Sequence, residues 1–156
     1  MEFDKIFQEF WPKVLRLCTG YVNDPEIAND LAQETFIKVW QQLPNFRNES
    51  AIGTWIFRIA TNHCLRQIQT DRRSLEADLS FPSVEDETDT QEMDRNVRLL
   101  YQYISELPEI ERIIISLELE DISQAEIARI VGISNANVRV KIHRIKKKLE
   151  QKFKDR

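Results

Sequence analysis

Apolar residues recur every three or four positions along most of this chain. Phe3, Ile6, Phe7, Phe10, Val14, Leu15, Cys18 and Tyr21 form the first such stripe, which predicts an amphipathic helix. Pro12 falls inside that run and predicts a kink or a restart, because proline has no N–H to give to the preceding turn. Asn23 or Asp24 can cap a second helix with Pro25 in its first turn, and that helix should run to about Gln42. The stretch "LPNFRNESAIGT" then reads as a loop, although Glu49–Ser50 could begin the next helix. Ile52, Trp55, Ile56, Ile59, Ala60 and Ile68 give a third helix its buried stripe.

The period is lost over residues 71–94, "DRRSLEADLSFPSVEDETDTQEMD". This stretch is acidic and rich in Ser and Thr, and it reads as a flexible linker. Periodicity returns with Val97, Leu100, Ile104 and Leu107. Pro108 then opens another helix carrying Ile110, Ile113, Ile114 and Leu117. The expected architecture is all-α: a helical bundle over residues 1–70, a linker over 71–94, and a second helical unit over 95–156. A tether is expected to join the two units, which do not form one compact body.

The second unit ends in "SQAEIARIVGISNANVRVKIHRIKKKL". Ser123 and Glu126 have the spacing of a capping box, Gly132 can take the left-handed conformation that ends a helix, and Ser134 can cap the next one. Two helices with a short Gly-containing turn are a helix-turn-helix pattern of moderately specific spacing, and the plainer alternative is an ordinary helical hairpin. The last helix separates the two readings. At about 100° per residue, Val138, Ile142, Ile145 and Leu149 form one packed stripe. Ala136, Val140, His143, Arg144 and Lys147 lie opposite, with Arg139 and Lys146 on one shoulder and Lys141 and Lys148 on the other. A helix in a DNA major groove needs this layout. Central side chains touch base edges and the shoulders reach phosphates.

Charge strengthens that reading. The whole chain has a formal net charge of −4, but it is unevenly divided. Residues 1–69 carry −1, residues 70–95 carry −6, residues 96–121 carry −4 and residues 122–156 carry +7. A basic module attached to an acidic chain is a sharper nucleic-acid signal than the overall balance.

Two distant segments resemble one family. "DLAQETFIKVW" followed by "FRNESAIGTWIFRIATN" resembles region 2 of bacterial sigma factors of the extracytoplasmic-function group. Residues 107–149, from "LPEIERIIISLELED" to the basic helix, resemble their region 4. The resemblance implies a transcription initiation subunit that binds core RNA polymerase and promoter DNA. Asp30, Gln33, Glu34 and Lys38 would dock on the polymerase. Lys38, Gln42, Phe46, Arg47, Asn48, Trp55 and Asn62 would lie near the opened −10 strand. Ala136, Arg139, Val140, Lys141, His143, Arg144, Lys147 and Lys148 would hold the −35 element. An anti-sigma factor is the further partner that the family implies. The basic run usual after the third helix is reduced to Arg66, Arg72 and Arg73, and the turn tip "SNAN" carries Ala136–Asn137 where Gly-Thr is common.

Other chemistry finds little support. There is no Gly-rich phosphate loop. His63 and Cys64 are adjacent and point in different directions on a helix, so they do not make a metal site. No cofactor, small-molecule substrate or catalytic role is expected. Cys18 and Cys64 are expected in a helical core. The first residues lack the pattern of a secretion signal, and no run of about 18 apolar residues occurs, so the expected place is the cytoplasm, without membrane insertion. The competing readings are a one-component helix-turn-helix regulator, which would need a dimer and a palindromic site, and an interaction protein whose basic helix binds acidic partners.

Overall fold

A computed structural model describes the backbone of residues 2–74 and 92–155, with side chains described over 2–67 and 95–155. The expected linker core, residues 75–91, therefore lies outside the described residues, as do the side chains of Ile68, Arg72 and Arg73. Among the described residues there are seven α-helices: α1 (Phe3–Val22), α2 (Pro25–Gln42), α3 (Ile52–Ser74), α4 (Glu92–Ser105), α5 (Glu109–Leu119), α6 (Gln124–Val131) and α7 (Asn135–Lys154). A short 3-10 turn covers Leu43–Asn45. Helices α3 and α4 run a few residues into the segment read as linker.

Local chemistry sets the helix ends. Asn23 takes a left-handed conformation (φ 52°) and closes α1, leaving Asp24 to cap α2 by accepting from the N–H groups of Glu26 and Ile27 at 2.9 and 3.3 Å. Pro25 fills the first turn, where an N–H would be unsatisfied anyway. Pro12 is a correction to the expected restart, since α1 continues through it as a single 20-residue helix. The apolar stripe on both sides of Pro12 packs into the same core, and that packing outweighs the lost hydrogen bond.

Helices α1, α2 and α3 pack around Phe10, Val14, Leu17, Leu31, Phe36, Val39, Ile56 and Phe57. Cys18 and Cys64 are fully buried there as free thiols, with their sulfurs 3.8 Å apart. The hydrogen bond with the Cys18 thiol, and then burial, favour the neutral form, and the pKa of Cys64 is raised. Helices α5, α6 and α7 form the second bundle around Ile113, Ile114, Leu117, Ile127, Val138, Ile142 and Ile145, with α4 laid along α5 and α7.

The two bundles do not stand apart. Helix α1 lies against α5 and α4, and α3 meets α6. At Gly20 the two helices come close: a Cβ there would stand 2.2 Å from Ser116 Oγ and 3.2 Å from Ser116 Cβ, so a larger residue would force Ser116 to shift. Beside it, the Arg112 guanidinium lies 4.9 Å from the centre of the Tyr21 ring. Arg16 donates two hydrogen bonds to the Glu120 carboxylate, at 2.8 and 2.7 Å. The two helical units are as read from the sequence. Their direct contact was not expected from it.

Candidate nucleic-acid interface

Helices α6 and α7 are held by the caps read from the sequence. Ser123 Oγ accepts from the N–H of Glu126 at 3.2 Å, and Ser134 Oγ accepts from the N–H of Asn137 at 3.1 Å. Gly132 has φ 83° and donates its N–H to the Ala128 carbonyl, closing α6. The turn between the two helices is therefore short and fixed, and it sets how α7 projects from the bundle.

Helix α7 presents the predicted face. Val138, Ile142, Ile145 and Leu149 are all buried. Ala136, Arg139, Val140, His143, Arg144 and Lys147 are exposed, and Lys141 is half-buried. Val140 is 43% exposed, an apolar side chain held in water beside Arg144. The shoulders are more occupied than their residue types suggest. Lys148 donates to Glu111 at 3.1 Å, Lys146 sits 3.7 Å from Glu118, and Lys152 bonds Glu106. Glu111 and Glu118 are two turns apart on α5, and they meet lysines from opposite edges of the buried α7 stripe. Lys148 is thus partly neutralised within its own bundle. Arg139, Arg144 and Lys147 carry no ion pair among the described residues.

The first bundle brings its aromatic residues together. The Phe46 and Trp55 rings are 4.7 Å apart and tilted by 31°, and both are half-buried. Asn48 has φ 58°, a left-handed turn that asparagine tolerates, which bends the loop near the ring pair. Asn62 and Arg66 are exposed and Arg58 half-buried, and all three share the Trp55 face of α3 at helical spacing. Lys38, Arg47 and Asn48 are exposed and Gln42 is half-buried. Phe3, Trp40, Leu43, Pro44, Phe46 and Asn48 line a cleft of about 400 Å3. That is within the roughly 300–1,000 Å3 usual for small-ligand pockets.

On α2, Asp30, Gln33, Glu34 and Lys38 are all exposed. Gln33 donates to Asn29 at 3.0 Å, and Glu34 lies 3.7 Å from His63 on α3. Burial, with the positive charge of Arg66, holds the His63 pKa below its usual value, so this ring is neutral at pH 7. Two residues of this face escaped the sequence reading. Ile37 is 56% exposed and Trp40 is 63% exposed, and both fall on the helical arc of Asp30, Gln33 and Glu34. The signal was present as two large apolar residues outside the buried stripe, but apolar character alone reads as core.

A family profile described as "Sigma-70 region 2" matches residues 6–74, and a second, "Sigma-70, region 4", matches residues 98–149. The "ECF RNA polymerase sigma-E factor" of Haemophilus influenzae is 32% identical, covering 97% of this chain and 87% of its own length. This chain belongs to the extracytoplasmic-function group of the sigma-70 family. The "RNA polymerase sigma factor SigZ" of Bacillus subtilis is 31% identical over 97% of this chain and 86% of its own length. Among solved structures, the sigma factor RpoE, in complex with the anti-sigma factor NepR from Bartonella quintana, shares the fold. Its TM-score is 0.83 at 20% identity, over 97% of this chain and 96% of that one. CnrH, in complex with the cytosolic domain of CnrY, gives 0.69 at 20% identity, over 98% and 88%. The sigma factor described here is an alternative specificity subunit that works with core RNA polymerase to recognise promoters. A free-standing helix-turn-helix regulator would have no use for the matched region 2 half.

Proposed function

We propose that this sigma factor divides promoter recognition between its two bundles at named residues. Helix α7 reads the −35 duplex from the major groove. Arg144 pairs with guanine N7 and O6, and Val140 meets a thymine methyl. Ala136, His143 and Lys147 line the same central strip, and Arg139 and Lys141 reach phosphates on either side. Lys148 contributes less, because Glu111 already holds it. The observation that carries this reading is the exposed Val140–Arg144 strip directly opposite a fully packed stripe on the same helix.

The first bundle opens the −10 element. Unstacking a base costs a few kcal/mol, and stacking on an aromatic ring returns about 1–3 kcal/mol. The Phe46–Trp55 pair and the neighbouring cleft offer that platform, with Asn48, Gln42 and Asn62 as hydrogen-bonding groups and Lys38 and Arg47 as cations. The exposed face of α2, from Asp30 through Gln33, Glu34 and Lys38, docks on core polymerase, and Ile37 and Trp40 extend it with apolar area. The chain has no catalytic step of its own and acts in the cytoplasm. Among its described residues no helix is long and apolar enough to cross a membrane. An anti-sigma factor is the partner that would restrain it, by analogy with the complexes of its fold neighbours.

Pull-down with core polymerase followed by run-off transcription tests the proposal. Specific transcripts are expected only with core and this chain together, and they should fall away with Trp55→Ala and with Arg144→Ala. Transcription that survives both substitutions would overturn the assignment of the two reading sites.

A further inference from the structure

Two carboxylates of α5 stand under the flanks of α7. Glu111 bonds Lys148 at 3.1 Å, and Glu118 lies 3.7 Å from Lys146. The two lysines fall on opposite flanks, each roughly a quarter-turn from the Val140–Arg144 strip. Both pairs have the same asymmetry. The Glu111 and Glu118 side chains are 14% and 23% exposed, against 52% for Lys148 and 57% for Lys146. The carboxylates are thus packed against the bundle, and the amines are the ends that a DNA duplex can reach.

We propose that Glu111 and Glu118 are specificity-determining residues: each holds a shoulder lysine back from phosphate, so that α7 binds through its central strip rather than through charge. This rests on the reading of the −35 duplex by α7 given above. A lysine that turns to a phosphate must leave a largely buried carboxylate unpaired, and that loss offsets part of what the phosphate contact returns. Attraction to phosphates supplies essentially all non-specific binding. Weakening it leaves the base contacts of Arg144 and Val140 with a larger share of the total, which is what selects one site among the many competing sites of a genome.

Helix chemistry does not account for Glu118. It lies in the last turn of α5, which ends at Leu119, and there the helix dipole disfavours an acid and favours a base. No basic residue occupies that turn, so the compensating charge comes from Lys146 on α7. Arg139 is the contrast. It shares a shoulder with Lys146, is exposed, and carries no ion pair among the described residues. Restrained and unrestrained cations therefore stand side by side on one flank of the same helix.

The test titrates holoenzyme onto a short duplex carrying only the −35 element, and onto a scrambled duplex of the same composition, at several potassium chloride concentrations. Glu111→Gln and Glu118→Gln keep the side-chain shape and remove the charge. Each should steepen the slope of log K against log salt by up to about 0.9, and tighten the scrambled duplex by up to about eightfold near 0.1 M salt. The −35 duplex should gain less, because Arg144 and Val140 fix its register, so the ratio of the two affinities should fall. Glu111→Gln should have little effect in a Lys148→Ala background, and Glu118→Gln little in a Lys146→Ala background. A glutamate variant that leaves both duplexes unchanged overturns the proposal, and so does one that weakens them, as the loss of a merely structural pair would. A gain that persists in full without the lysine also overturns it, as does a constant ratio in a wild type that prefers the −35 duplex. Comparing Lys148→Ala with Arg139→Ala needs no glutamate variant, and equal falls in slope would again overturn it. If wild-type holoenzyme prefers neither duplex while the glutamate variants still tighten both through their lysines, the −35 reading fails and the restraint of the lysines stands.

Discussion

Replacing Arg144 and Lys148 one at a time separates base reading from phosphate attraction on α7. Arg144 is exposed, and no described residue forms an ion pair that competes for its guanidinium. Losing a bidentate guanine contact costs about 1–3 kcal/mol. At about 1.4 kcal/mol per tenfold change, Arg144→Ala should weaken −35 binding by roughly 5- to 150-fold. The loss should vanish on a site in which the contacted pair is changed, and the salt slope should stay nearly constant. Lys148 differs because it already bonds Glu111 at 3.1 Å. A lysine free to release one counterion would lower the slope of log K against log salt by about 0.9 when removed. Lys148→Ala should lower it by clearly less than that, whereas Arg139→Ala, on a shoulder and without an ion pair among the described residues, should lower it by nearly the full amount. Fluorescence anisotropy of a −35 duplex, titrated with holoenzyme at several potassium chloride concentrations, reads all three variants. Equal changes in sequence preference for Arg144→Ala and Lys148→Ala would refute the division of α7 into a central strip and shoulders.

Trp55→Ala should slow open-complex formation by the loss of about 1–3 kcal/mol of stacking, seen as reduced permanganate reactivity at −10 with the −35 footprint intact. Trp40→Ala should weaken binding to core polymerase while leaving the melting temperature within about 2 °C, because the ring is 63% exposed. Ile145→Ala removes a fully buried side chain under the recognition helix and should cost about 2–5 kcal/mol, measured by urea unfolding. His63 has a lowered pKa in the folded protein, so below about pH 6.5 the unfolded chain takes up a proton that the folded one resists. Stability should therefore fall as pH drops through that value and level off below the folded pKa, and His63→Gln should flatten this dependence in a thermal melt.

The parts of the molecule that were legible in the sequence are those governed by local periodicity. Val138, Ile142, Ile145 and Leu149 are spaced to face one way on any helix, and Ser123, Gly132 and Ser134 mark its ends by backbone chemistry alone. The restart offered at Pro12 does not occur, because a single missing N–H is a local signal while the stripe on either side of it is anchored by the whole bundle. The shoulders of α7 were only half legible. Lysine type and angle were readable, but Glu111 and Glu118 approach from another helix and leave no trace at short range. The seam between the bundles was invisible for a similar reason. Arg16 and Glu120 read as solvated charges 104 residues apart, and Gly20 reads as a weak spot in α1 until Ser116 is placed against it. Ile37 and Trp40 show the converse, since apolar type suggests burial and only the packed fold reveals their exposure.

Site-specific photocrosslinking of the holoenzyme to a promoter tests the central division of labour most directly. A crosslinker placed at Arg144 should mark duplex near −35, and one placed at Trp55 should mark the opened strand near −10 in the same complex. Both crosslinks falling on one element, or the Trp55 crosslink falling on closed duplex, would contradict the account.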